Sequence, residues 1–171
     1  MEISNDVIRS VNQKIIEDYH NSDLVDPITQ INQEIFLGQS RTTEYVEILR
    51  NLGITHIVSI GQSPHPNTLT ANFARFILYD IKDENTENIL YYFPSIFHFM
   101  RQAIREGGKI YVHCVMGISR SATIVIAFLR ANGYFDSLQD AYNYVKNRRP
   151  WINPNEGFKT QLRQFFFETL N

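Results

Sequence analysis

Cys114 and Arg120 flank five residues, Val115, Met116, Gly117, Ile118 and Ser119, with His113 directly before the pair and Ser121 directly after it. A thiol and a guanidinium at that spacing can share one tetrahedral anion if the backbone between them curls around it. Consecutive N–H groups then converge on a single centre, a following helix adds the partial positive charge of its N-terminus, and the planar fork of Arg120 takes two oxygens. The same field favours a thiolate at position 114. Nucleophile below and dianion above define phosphoryl transfer to sulfur. Ser121 can donate its hydroxyl to that sulfur and ease its departure in a second step, although an ordinary serine in the first turn of a helix is the plainer alternative. A C-x5-R spacing alone arises easily by chance, so the elements around it decide its weight.

Those elements have the right character. Residues 109–113 form a β-branched run suited to a buried strand, and the apolar run 122–129 suits a buried helix, so the loop is the turn between them. Upstream, Ile3, Val7, Ile8, Val11, Ile15, Ile16 and Tyr19 mark one face of a helix over residues 3–20, capped by Ser4 or Asn5 and ended in the stretch 20–27. That face either packs on its own domain or pairs with a second copy of the chain. Residues 33–38 read as a short strand closed by Gly38. Thr42 and Thr43 cap a helix carrying Tyr45, Val46, Leu49 and Leu52, and residues 54–60 form a buried parallel strand. Residues 61–72 read as a loop in which His65 is solvated rather than a ligand, since no cluster of ligating residues accompanies it.

A further strand over 74–81 is followed by a long amphipathic helix on Ile89, Phe93, Ile96, Phe97, Met100 and Ile104, with Pro94 expected to bend it. Asp136 or Ser137 caps a helix that stops before Arg148, Arg149 and Pro150, and a last helix begins near Asn155. Strands alternating with helices specify an α/β fold, a central mostly parallel twisted sheet with helices on both faces. Ligands in such folds bind beyond the carboxyl ends of the strands. Cys114 stands at such an end. The boundaries expected are an N-terminal helix and linker over 1–29 and a catalytic domain over 30–171.

With 171 residues, 43% of them hydrophobic, the chain suits one domain with a sizeable core. A net charge of −2 gives no general pull towards nucleic acid or anionic lipid, so anion binding must be local. Cys114 is the single cysteine, which excludes an internal disulfide framework and suits a reducing compartment. No basic leader and no run of 18 apolar residues is present, and a soluble intracellular protein, cytoplasmic or nuclear, is expected.

Phosphoryl transfer also needs an acid for the leaving oxygen. Asp80, Asp83, Glu84 and Glu87 all lie between a strand end and the following helix, on the rim where the loop sits, and each is equally readable as a solvated carboxylate or a cap. Asp83 lies in the connecting loop, where it can swing over a substrate. His113 precedes the nucleophile in a strand and therefore points to the opposite face, where it holds the loop by hydrogen bonds.

At these residues the chain resembles the dual-specificity phosphatases within the cysteine-dependent protein tyrosine phosphatases. The run His113-Cys-Val-Met-Gly-Ile-Ser-Arg-Ser121 matches the signature H-C-x-x-G-x-S-R-S. Ile35-Phe-Leu-Gly38, Gly53-Ile-Thr-His-Ile-Val-Ser59, Asp83 ahead of Tyr92-Phe93, and Pro154-Asn155-Glu-Gly-Phe158 are similar to further family motifs, so the likeness covers roughly residues 30–168. It implies that Asp83 is the general acid and that Asn155 supports the phosphate loop of residues 115–120. It also implies a phosphocysteine intermediate, no metal, no cofactor, and phosphorylated protein substrates carrying phosphotyrosine, phosphoserine or phosphothreonine.

The uncharged interior of that loop favours a protein over an RNA 5′-end or an inositol lipid, whose additional phosphates call for lysine, arginine or histidine there. Nucleic-acid and membrane partners are accordingly not expected. RNA 5′-phosphatase or phosphoinositide phosphatase activity, and a catalytically silent phospho-binding module, are the alternatives. Arg41, Arg75, Arg148 and Arg149 are either a second anion site or scattered surface residues. Some short viral members of the family dimerise through a helix ahead of the catalytic domain, so by analogy residues 3–20 offer a homodimer surface.

Overall fold

The computed structural model describes residues 3–19, 25–61 and 66–171; the expected end of the first helix near His20 and the reading of His65 lie outside the described residues. Strands β1 (Ile28–Gln30), β2 (Ile35–Gln39), β3 (His56–Ile60), β4 (Arg75–Tyr79) and β5 (Ile110–Cys114) form one sheet in the order β1-β2-β5-β3-β4. β1 runs antiparallel to β2, and the other pairs are parallel. This is the α/β, mostly parallel sheet that the alternation of elements predicts.

Side chains alternate across the sheet with period two, so every central strand feeds two cores. Ile35, Leu37, Val58, Ile60, Ile110 and Val112 face one layer made by α4 (Phe93–Arg105), α5 (Arg120–Ala131), α6 (Leu138–Arg148) and α7 (Glu156–Phe166). Phe36, Ile57 and Tyr111 face the other, with α2 (Val46–Asn51) and α3 (Pro66–Asn72). Helix α5 is buried from Ser121 to Leu129, which is why its sequence is apolar all round rather than along one stripe. The helix that follows the Cys114–Arg120 loop is thus the most enclosed of the described helices.

Helix α1 (Asn5–Asp18) starts at Ser4, whose hydroxyl accepts from the Asp6 N–H at 3.2 Å. Its apolar side is turned to its own domain. Ile15 is buried, Ile3, Ile8 and Val11 pack against the layer that holds Ile28, Phe36 and Tyr111, and Val7 stays half exposed. Asn12, buried in the middle of the helix, closes a two-way pair with β1: its Nδ2 donates to Ile28 O at 2.8 Å and its Oδ1 accepts from Ile28 N at 2.9 Å. Those bonds satisfy the outward N–H and C=O of Ile28 on an edge strand that would otherwise be open there. The placement lends the expected homodimer surface no support.

Four local expectations need correction. β1 falls in a stretch expected to be linker, because three residues are too few to show a period. Thr42 and Thr43 cap nothing: a 3-10 turn occupies Ser40–Glu44, α2 begins after Tyr45, and the two hydroxyls donate to Pro27 O at 3.1 Å and Ser40 O at 2.6 Å. The second half of the loop expected over 61–72 is helix α3, which buries Leu69. Pro94 does not bend a helix, because α4 begins at Phe93 after a separate 3-10 turn over Ile89–Tyr92, and a proline in the first turn forfeits no helical hydrogen bond.

Candidate active site

Strand β5 ends at Cys114 and α5 begins at Arg120, so the loop between them lies beyond the carboxyl edge of the sheet. Pleat alternation sends the two residues at the strand end to opposite sides. Cys114 faces α5, 2% exposed, and its Sγ accepts from Ser121 Oγ at 3.1 Å. His113, fully buried on the other side, meets Ser59 Oγ through Nε2 at 2.5 Å and stacks on Tyr111. Burial lowers the His113 pKa to about 4, so the ring is neutral at neutral pH and acts as a polar strut.

The curl of the loop depends on close backbone approach. Gly117 adopts φ +65°, and a Cβ there would stand 2.5 Å from Gly38 O, so glycine is required on both counts. Ser40 N donates to Val115 O at 3.2 Å, tying the loop to the end of β2. Val115 and Met116 form its exposed lip. Arg149 closes the outside: its Nε donates to Gly117 O at 2.8 Å and Nη2 to Met116 O at 3.0 Å.

The far wall is the segment after β4. Arg120 Nη1 donates to Ile81 O at 3.1 Å, and the guanidinium lies against Gly61, where a Cβ would collide with Nη1. Asp83 Oδ1 accepts from Ser119 Oγ at 2.7 Å and from Asn155 Nδ2 at 2.9 Å. Of the four carboxylates on this rim, Asp83 is the one so joined to the phosphate loop. Glu87 instead accepts from Lys82 N, and Asp80 and Glu84 face solvent. Two more bonds tie the segment to α7, Gly157 N to Asn85 Oδ1 at 3.1 Å and Gln161 Nε2 to Glu87 O at 2.8 Å. The loop position of Asp83 predicts a carboxylate that can swing; the structure ties it to Ser119 and Asn155.

Asn155 serves both sides of this junction. Its Oδ1 caps α7 by accepting from Phe158 N at 2.9 Å, its Nδ2 holds Asp83, and its backbone N–H reaches the phosphate loop by donating to Ser119 Oγ at 3.0 Å. The support expected of its side chain therefore goes to the carboxylate. Ser119 is the shared member, donating to Asp83 and accepting from Asn155, a role its sequence position did not disclose.

The four arginines do not assemble a second anion site. Arg41 lies over the Tyr19 ring at 4.6 Å, Arg148 over Tyr144 at 3.5 Å, and Arg75 pairs with Glu106 at 3.3 Å. Arg149 is no surface residue at all, being 0% exposed. Nothing in the pair Arg148, Arg149 distinguishes the buried member by type; the following Pro150, which ends α6 and turns the chain, is the one available signal.

Residues 35–167 match the family model described as "Dual specificity phosphatase, catalytic domain". The mouse serine/threonine/tyrosine-interacting protein is 40% identical over 136 residues, covering 77% of this chain and 60% of that protein. The Drosophila melanogaster dual specificity protein phosphatase MPK-4 is 34% identical over 139 residues, 81% of this chain and 36% of that protein. The chain thus spans less than two thirds of the length of these curated relatives. In structure it is similar to the human tyrosine phosphatase-like serine/threonine/tyrosine-interacting protein, with TM-score 0.74 and 36% identity over 82% of this chain and 95% of the other.

Proposed function

Because the chain belongs to the dual-specificity phosphatase catalytic-domain family, we propose that it hydrolyses phosphotyrosine and phosphoserine or phosphothreonine in proteins through a phosphocysteine intermediate. The observation that carries this reading is the contact of Ser121 Oγ with Cys114 Sγ at 3.1 Å, at the head of a buried helix and beneath the loop that ends in Arg120. A protein retaining thiol, guanidinium and hydroxyl in this relation has the groups for turnover as well as for binding.

In the first step the Cys114 thiolate attacks phosphorus, the P–O bond to the substrate breaks, and the Asp83 carboxyl gives its proton to the departing oxygen. Backbone N–H groups of residues 115–120 and the Arg120 fork take the equatorial oxygens, whose charge is the principal thing to stabilise. In the second, the Asp83 carboxylate takes a proton from water, the water oxygen bonds to phosphorus, and the P–S bond breaks with the electron pair returning to sulfur. Ser121 donates to that sulfur as its charge reappears. The absence of any charged side chain between Cys114 and Arg120 supports a single phosphate on a protein side chain as substrate. An intracellular, cytoplasmic setting, which keeps the lone thiol reduced, completes the proposal. Among the described residues no helix is long and apolar enough to cross a membrane.

The relative named for interacting with serine, threonine and tyrosine gives the silent binding module its standing as a second reading. Steady-state rates on a bisphosphorylated peptide, a triphosphate-ended RNA, an inositol lipid and para-nitrophenyl phosphate separate the readings. The expected result is release from both the peptide and the aryl ester, with kcat/KM for RNA and lipid far below that for peptide. RNA or lipid far above peptide overturns the substrate class, and no release from any of them across pH 5 to 8 overturns the phosphatase reading and supports the binding module.

A further inference from the structure

Arg149 stands outside the catalytic groups, yet its surroundings are hard to explain as packing. The guanidinium is completely buried, and burial pushes its pKa down from the usual arginine range. Among the described residues it makes no ion pair with a carboxylate; its acceptors are three backbone carbonyls and one hydroxyl. Burying a cation in this way is costly, and for stability alone an apolar side chain of similar volume commonly serves as well or better. The charge therefore calls for a reason beyond filling space.

The acceptors supply one. One edge of the fork, Nε and Nη2, binds two consecutive phosphate-loop carbonyls, Gly117 O at 2.8 Å and Met116 O at 3.0 Å. In a trans peptide the C=O and the following N–H point in opposite directions. Drawing the carbonyls of residues 116 and 117 outward to Arg149 therefore turns the N–H groups of Gly117 and Ile118 inward. The other edge, Nη1, binds Asp26 O at 2.6 Å and Thr29 Oγ1 at 2.9 Å, which anchors the fork to the segment leading into β1.

We propose that Arg149 is a positioning residue that aims the phosphate-loop amides at the bound dianion and couples their geometry to residues 26–29. This deepens the reading of the Cys114 loop as a phosphate socket and rests on it. Segment 26–29, expected to be linker, becomes part of the socket's outer frame. Lysine cannot replace Arg149, because one ammonium cannot bind both edges at once.

The test uses the full chain with Arg149→Met, Arg149→Lys and Thr29→Val. Two readouts do not depend on turnover: tungstate affinity by calorimetry, and the pH profile of iodoacetamide alkylation by intact mass, which reports Cys114 alone because the chain has no other cysteine. In Arg149→Met, tungstate is expected to bind about tenfold more weakly or worse, and the alkylation midpoint to rise by about one pH unit, with wild-type far-ultraviolet circular dichroism. Arg149→Lys lies between, and Thr29→Val shifts both readouts the same way by less.

A folded Arg149→Met protein with lowered thermal stability but unchanged affinity and alkylation profile overturns the proposal. If that variant does not fold, unchanged readouts in both Arg149→Lys and Thr29→Val overturn it instead. Tungstate binding by a wild-type protein without turnover, weakened in the variants, removes the phosphatase reading while upholding this one. A wild-type protein that does not bind tungstate overturns both.

Discussion

The phosphate loop and the acid-bearing segment 82–88 face each other across a few ångströms and are held in opposite ways. The loop is fixed from behind by buried groups: His113 on Ser59, Arg149 on two carbonyls, Gly117 against Gly38. The acid segment is exposed, and it is attached by hydrogen bonds to α7 and its cap, from Asn155, Gly157 and Gln161, and by one bond from Ser119 of the loop itself. Buried polar bonds are expensive to leave unmade, whereas exposed ones exchange with water at little cost. On the proposed mechanism the difference meets distinct demands: a socket that must not move, and a carboxylate that must be present but must also yield to substrate and water. Ser119, touching both, is where the two regimes meet.

The largest expected effect breaks the comparison on the socket side. Cys114→Ser is expected to reduce phosphate release to background while tungstate binding persists, since the N–H groups and Arg120 are untouched. A substantial residual rate on para-nitrophenyl phosphate would point to another nucleophile. Next comes the rim. Asp83→Asn keeps the shape and removes the proton, so kcat/KM, which reports the first step alone, is expected to fall about 10²- to 10⁴-fold on an alkyl phosphate, whose poor leaving group needs protonation, and little on para-nitrophenyl phosphate. Equal losses on both substrates would take the acid role from Asp83.

The buried support of the socket has a pH signature. His113 carries a folded-state pKa of about 4, lowered by burial from 6.5, so the unfolded chain binds the extra proton between those values. Stability supplied by keeping the ring neutral is therefore complete above pH 6.5 and is lost as pH falls towards 4, on the order of 3 kcal/mol in all. His56, also lowered by burial, adds to the same trend, so the comparison with His113→Gln isolates the first contribution. Glu156 and Glu168, lowered by Lys159 and Arg130, lose their contributions further down. Urea unfolding from pH 7 to 4.5 is expected to show a markedly flatter profile in His113→Gln. Parallel profiles would mean that His113 is not held neutral by the fold.

What the sequence disclosed follows from how local each feature is. The strand, loop and helix around Cys114 are contiguous, and the pleat alone places His113 and Cys114 on opposite faces, so both were legible. Among four carboxylates near one strand end, nothing local marks Asp83 as the one bonded to Ser119 and Asn155. Arg149, Ser119 and Asn12 were not legible, because their meaning lies in partners far along the chain: Arg149 meets Asp26 and Gly117, and Asn12 meets Ile28. Thr42 and Thr43 look like caps because threonine hydroxyls suit helix starts, and a carbonyl from Pro27 claims the first instead. β1 escaped because an edge strand of three residues carries no period.

The smallest effect sharpens the comparison most, because it separates rim from socket with one methyl group. A Cβ at Gly157 would collide with the Asn85 carbonyl, so Gly157→Ala must push residues 82–88 away from α7. The Asn85 side chain then loses its bond to Gly157 N, and Asp83 retreats from Ser119 while every contact behind the phosphate loop stays in place. The expected outcome is a loss of about tenfold in kcat/KM on an alkyl phosphate, with para-nitrophenyl phosphate turnover, tungstate affinity and the alkylation profile of Cys114 unchanged. If tungstate affinity fell in step with turnover, the two regions would be one rigid unit, and Ser119 would transmit displacement from the rim into the socket. If nothing changed, the bonds to α7 would be incidental, and Asp83 would find its position from Ser119 and Asn155 alone.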